Sequence, residues 1–248
     1  MDSIWIYIIV GFVAQIIDGA LGMAYGVFSN SLLLAFGIPP AVSSASVHFA
    51  ETFTTLISGV SHFKLGNVDK SLFKKLVVAG VIGAVVGTYI LSNIDGNKIK
   101  PFIGIYLLLM GIRILFKVIN MHKHSDEKIT KRRHFAFLGL VGGFLDAIGG
   151  GGWGPVVTAT LVSDGKNPRK TIGSVNAAEF FVTVSTVITF TVFLTAFNWT
   201  AAFGLLIGGG VAAPLAALVT KKVPTKALMT MVGCLITFVS LRMIILSI

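Results

Sequence analysis

Asp18 to Gly26 reads DGALGMAYG, and Asp146 to Gly154, 128 positions later, reads DAIGGGGWG. Each stretch is a glycine-rich break in a strongly apolar run. In water such a break is an ordinary loop. Inside a bilayer an unpaired amide costs several kcal/mol, so irregular backbone survives only where protein buries it or where it lines a polar cavity. The purpose of the two breaks therefore decides how the rest of the chain is read.

Around them, 54% of the 248 residues are hydrophobic and 12% are charged, about half the roughly 25% of a soluble domain. Mean hydropathy is +0.88. Apolar runs cover 4–17, 27–38, 42–63, 72–92, 100–119, 135–147, 155–163, 172–197, 201–220 and 227–248. They do not alternate as barrel strands do, so the class is an all-α integral membrane protein embedded in the lipid bilayer of the cell (inner) membrane. Cys234 is the single cysteine, which excludes an intrachain disulfide and a cysteine-based metal site. Met1, Asp2 and Ser3 supply no basic leader segment, so the first run is expected to stay in the mature chain. The net charge of +10 sits in short segments flanking the apolar runs, a pattern of membrane topology rather than of nucleic-acid binding.

The breaks belong to a longer duplication. Ser46 to Phe53 (SVHFAETF) matches Ser174 to Phe181 (SVNAAEFF), and further on Gly104 matches Gly233 and Arg113 matches Arg242. Apolar matches arise easily by chance in membrane chains; an Asp, a Glu and an Arg matched in one order do not. Three units follow: an N-terminal transmembrane repeat, 1–119; a basic cytoplasmic linker, 120–134; and a C-terminal transmembrane repeat, 135–248. The linker holds His122, His124 and His134 near Asp126 and Glu127. A solvated basic loop is the expectation there, not a metal tract.

The pieces flanking the first break, 4–17 and 27–38, rise about 21 Å and about 18 Å as helix, too short to cross a hydrocarbon core about 30 Å thick. Each broken run is either one interrupted span or a re-entrant hairpin. Hairpins gather Lys64 to Lys75, Lys117 to Arg133, Lys166 to Lys170 and Lys221 to Lys226 on one side and leave Lys98 and Lys100 on the other. Interrupted spans divide the cations about evenly, so the positive-inside rule selects hairpins. Three full crossings then follow each hairpin. Because three is odd, the second repeat is inverted relative to the first, an architecture of secondary transporters, and both termini are expected outside.

At the tips, Gly22, Gly26, Gly150, Gly151, Gly152 and Gly154 let backbone approach a ligand closely. The short helices behind them would aim their N-termini at the midplane, which suits an anion. Ser29, Asn30 and Thr158 sit in or near the first turns, and Tyr25 and Trp153 are matched aromatics for which plain packing is the simpler role. In the next helix Ser44, His48, Glu51, Thr55 and Ser58 share one face, echoed by Asn176, Glu179, Thr183 and Thr186. Glu51 and Glu179 are read either as proton carriers or as anchors of a polar network. Asp18 and Asp146 end the first hairpin helices, where the dipole disfavours a carboxylate; capping of the next amides and coupling to H+ or Na+ are the two readings. Arg113 and Arg242 are expected to snorkel.

These residues give the chain its family likeness. FLDAIGGGGWGPVVTATLV at Phe144 to Val162, the duplicated break and the Ser-Val-X-X-Ala-Glu segments at Ser46 to Glu51 and Ser174 to Glu179 resemble the sulfite exporter TauE/SafE family. The resemblance implies transport, usually outward, of a small sulfur-containing anion such as sulfite or an organosulfonate. The first break departs from the pattern, with Leu21, Met23 and Ala24 where the second has Gly149, Gly151 and Gly152. A passive anion channel is the alternative; a cation transporter or an intramembrane aspartyl protease built on the two Asp residues are more distant ones. No Ser-His-Asp set, HExxH or nucleotide loop is present, and neither enzymatic activity, a cofactor nor a bound metal is expected.

Overall fold

The computed structural model describes residues 3–21, 23–119, 134–164, 166–222 and 225–246. Gly22, residues 120–133 of the expected linker and both extreme termini lie outside them. The described residues form helices: α1 (Ile4–Leu21), α2 (Tyr25–Ala35), α3 (Pro40–Lys64), α4 (Lys70–Asn93), α5 (Gly96–Ile119), α6 (His134–Gly149), α7 (Ala159–Ser163), α8 (Pro168–Phe193), α9 (Trp199–Lys222) and α10 (Thr225–Ile245). A π-helical turn, Gly154–Thr158, leads into α7. Helix starts follow local chemistry: Asp69 caps α4 by accepting from the amides of Ser71 and Leu72, and Asn167 caps α8 by accepting from that of Lys170.

Four helices, α4, α5, α8 and α10, are long and apolar enough to cross a membrane. α3 is as long, at 25 residues, but carries the Ser/His/Glu/Thr stripe. Many large apolar side chains face outward, among them Ile57, Val192, Met231 and Phe238. Such an exterior suits lipid tails and would be a liability in water.

Contacts between the helices keep their pattern when α1–α5 are exchanged with α6–α10. α1 packs along α9 as α6 packs along α4, while α3 packs on α8 and α5 on α10. Glycines bring these backbones together. A Cβ on Gly83 would fall on the Leu140 carbonyl and one on Gly143 on the Gly80 carbonyl; Gly208 stands in the same way against Ile8 and Gly11 against Leu205. α3 and α8 run antiparallel. The Lys170 ammonium at the start of α8 donates to the Gly66 carbonyl just past the end of α3, at 2.7 Å, and the Asn176 amide donates to Ser58 Oγ at 3.0 Å. α5 and α10 also run antiparallel, with Gly104 against Met243 and Ile244, and Gly111 against Gly233 and Thr237.

Both broken elements double back. Ile6 and Tyr7, near the start of α1, share one crevice with Phe36 to Pro39, just after α2. In the second half Lys166, just after α7, lies 4.9 Å from the ring of Phe135 at the start of α6. Asp18 and Asp146 thereby come to lie at the turning points.

Close glycine contacts make a direct test of this packing. Gly143→Val is expected to destabilise by about 1–3 kcal/mol, because the added atoms meet backbone that cannot rotate away. Gly210→Ala, whose methyl meets nothing within 4 Å, is the control. Thermal unfolding of detergent-purified protein reads both; equal midpoints for the two variants would contradict the α4–α6 contact.

Candidate functional site

Each tip is tied to its own aspartate. Asp18 Oδ1 accepts the amides of Ala24 and Tyr25 at 2.7 and 3.1 Å. Asp146 Oδ1 accepts those of Gly152 and Trp153 at 2.7 and 2.9 Å. The carboxylates thus take up the negative end of one short helix and the free amides of the next, offsetting the dipole that disfavours an acid at a helix end. Gly150 and Gly151 make the second turn with φ of 62° and 142°, where only glycine is unstrained.

The tips touch each other. A Cβ on Gly26 would lie 2.6 Å from Gly151 Cα and 2.7 Å from Glu51 Oε1. The Asn30 side-chain amide donates to the Gly149 carbonyl and Asn30 Oδ1 accepts from Ser43 Oγ, so the second helix of one hairpin is bound to the tip of the other. Tyr106 adds a hydroxyl donor to the Gly151 carbonyl at 3.2 Å.

Below this junction lies a cavity of about 290 Å³. Of the residues named from the sequence, Asp18, Tyr25, Gly26, Glu51, Thr55, Ser58, Gly151, Gly152, Gly154, Asn176 and Glu179 line it. Three carboxyl groups thus share one small space, and among the described residues no lysine or arginine lines it. Glu51 Oε2 is buried without a hydrogen-bond partner among the described residues.

The remaining residues stand back from the cavity. His48 and Asp146 are fully buried together, His48 Nε2 lying 3.0 Å from Asp146 Oδ2. His48 Nδ1 lies 2.8 Å from the Ser44 carbonyl. Both ring nitrogens face acceptors, so the contact with Asp146 holds a proton that one partner or the other carries. Trp153 is wholly buried, packed on Gly80 and Gly142, with its indole N–H donating to the Val175 carbonyl at 3.1 Å. Its counterpart Tyr25 reaches the Leu205 carbonyl at 3.1 Å but still edges the cavity. Ser29 and Thr158 are buried with hydroxyls that have no partner among the described residues, and Gly150 packs against Asn30.

Three polar lining residues were not among those singled out. Gln15 is the one amide side chain in the first apolar run, one turn before Asp18; Thr54 borders the polar stripe of α3, and His62 continues it one turn beyond Ser58. Helical spacing alone marks Gln15 and His62. The amides expected to meet a ligand are fewer than the glycines suggest, since those of Ala24, Tyr25, Gly152 and Trp153 already serve the aspartates. Gly26 and Val27, in the first turn of α2 and on the cavity wall, keep amides that no residue within the helix can accept.

Apolar helices surrounding paired broken helices, with an internal polar cavity where the breaks meet, define a membrane transporter rather than a soluble binding domain. Residues 7–243 match the sulfite exporter TauE/SafE family, and the chain belongs to that family. It is 45% identical over 251 residues to the "Probable membrane transporter protein YtnM" of Bacillus subtilis (strain 168), covering 99% of this chain and 84% of that one. It is also 34% identical over 108 residues to the "Sulfite exporter TauE/SafE family protein 3" of Arabidopsis thaliana, covering 44% of this chain and 23% of that one. No solved structure matches the chain. Members of the family are membrane transporters, not enzymes, which removes the aspartyl protease reading.

Proposed function

We propose that the protein exports a small sulfur-containing oxyanion, sulfite or an organosulfonate, across the cell membrane by alternating access coupled to protons. Two inverted repeats carry it, residues 1–119 and 135–248. The antiparallel packing of α3 on α8 and of α5 on α10 supports inversion, because an axis in the membrane plane reverses every equivalent helix.

The observation that carries the reading is that the cavity reaches the tips from one end only. Its walls include Thr54, Thr55, Ser58 and His62 of late α3 and Ile172 and Asn176 of early α8. That end adjoins Lys64, Lys70, Lys74, Lys75, Arg169 and Lys170, the cytoplasmic side by the positive-inside rule. At the opposite end Ser44, His48, Thr183, Thr186 and Phe190 are fully buried. A pore open to both faces does not need such one-sided closure, which favours a carrier over a passive channel.

An oxyanion entering the cavity meets the Gly26 and Val27 amides and three carboxyl groups, with no lysine or arginine among the described lining residues to offset the latter. Coulomb repulsion disfavours a bare anion beside ionised carboxylates, so substrate and proton arrive together. Glu51 and Glu179 are the proton carriers on this reading. Sulfite efflux from proteoliposomes is expected to rise with an imposed pH gradient, and Glu51→Gln with Glu179→Gln to erase that response. Flux indifferent to the gradient in the unmodified protein would support the passive channel instead.

A further inference from the structure

Exchange of the two halves sends Thr55, Ser58 and His62 to Thr183, Thr186 and Phe190, and Asn176 to His48. The first four line the open cavity; their counterparts are sealed in protein. The same operation acts on hydrogen bonds. His48 meets Asp146, and the counterpart of that bond joins Asn176 to Asp18. Asn176 donates to Ser58, and its counterpart joins His48 to Thr186.

Neither counterpart bond is made. Asn176 is occupied with Ser58, and Asp18 meets the Ala24 and Tyr25 amides through Oδ1 alone. Thr186 Oγ1 is fully buried with no partner among the described residues. A buried hydroxyl left unpaired is costly, and it stands where the exchange puts an acceptor for His48. The orphan is what a site looks like when its partner is engaged elsewhere.

We propose a second half-pathway for the same oxyanion on the far side of the tips, lined by Ser44, Thr183, Thr186 and Phe190, with His48 and Asn176 as its positioning residues. It opens when His48 leaves Asp146 for Thr186 while Asn176 leaves Ser58 for Asp18; the cavity now open closes in the same movement. The Thr186 hydroxyl supplies a donor for a sulfur-bound oxygen, while the hydroxyls of Ser44 and Thr183, which here donate to the Ala147 and Phe180 carbonyls, add polar wall, and Phe190 takes the mouth position that His62 holds in the open half. This inference rests on the alternating-access reading above.

Single cysteines in a Cys234→Ala background test it, in full-length protein reconstituted with known orientation. A membrane-impermeant maleimide is added from either face, with and without sulfite. Ser58→Cys is expected to react from one face, and Thr186→Cys and Thr183→Cys only from the other, with sulfite moving the two rates in opposite directions. His48→Leu, which can pair with neither acceptor, should change the rate at Thr183→Cys by about tenfold. His48→Asn, which copies the residue of the other half, should restore the reciprocal pattern.

If Thr183→Cys and Thr186→Cys resist label from both faces while both variants still transport sulfite, the half-pathway is wrong and the transport reading stands. Labelling of all three cysteines from the same face also overturns it. Reciprocal labelling in protein that moves no sulfite or sulfonate upholds the pathway and overturns the substrate assignment.

Discussion

Asp146→Ala is expected to yield almost no folded protein, whereas Asp18→Ala is expected to fold and lose transport. The two aspartates align in sequence and cap their tips alike, but their surroundings differ. Asp146 is fully buried and also meets His48, so its removal strands two amides and an imidazole in the interior. Removing one partner of a buried pair costs about 3–5 kcal/mol, a large part of the roughly 5–15 kcal/mol that holds a domain folded. Asp18 lines the cavity, where water can take over the Ala24 and Tyr25 amides. Size-exclusion profiles and thermal midpoints of the two variants decide it; equal damage would mean that the tips are equivalent in environment as well as in sequence.

Gly26→Ala is expected to slow transport by about tenfold to a hundredfold while leaving the protein folded. The methyl would sit 2.6 Å from Gly151 Cα, at the contact between the tips. Backbone lies on both sides of that contact, so one tip must shift by a fraction of an ångström. Overpacking of this kind costs about 1–3 kcal/mol, and about 1.4 kcal/mol is a factor of ten. If the tips slide on each other during the cycle, that cost falls on the rate. Initial rates at matched reconstitution against Gly210→Ala measure it, and a Gly26→Ala rate within a factor of about two of that control would show that the contact is static.

Much of this architecture is legible in the chain because bilayer physics narrows the choices. The apolar runs 42–63 and 72–92 become α3, Pro40–Lys64, and α4, Lys70–Asn93. The doubling back of the short pieces follows from their length and from where the cations sit. The site is less legible, because its asymmetry lies in partners rather than in positions. His48 and Asn176 occupy matching places, and nothing local says that one pairs with Asp146 and the other with Ser58. Trp153 and Tyr25 match too, yet pockets left by Gly80 and Gly142 swallow the indole, while the phenol still edges the cavity. The glycines advertised free amides, but the aspartates a few residues earlier had first claim on them. Which end of the cavity is open is set by how the helices pack, and no residue type encodes it.

The one-ended cavity also has an electrical consequence. Water that reaches the tips brings the potential of that face with it, so the membrane voltage falls across the sealed remainder. Moving one elementary charge through the full potential is worth about 2.3 kcal/mol per 100 mV, and under the proposed alternating access nearly all of it would act on the step that exchanges the open face. In the proposed cycle an inside-negative cell would drive a bare monoanion outward at that step alone. A monoanion that took one proton with it in that cycle would cross the same layer uncharged, and its export would be indifferent to the voltage.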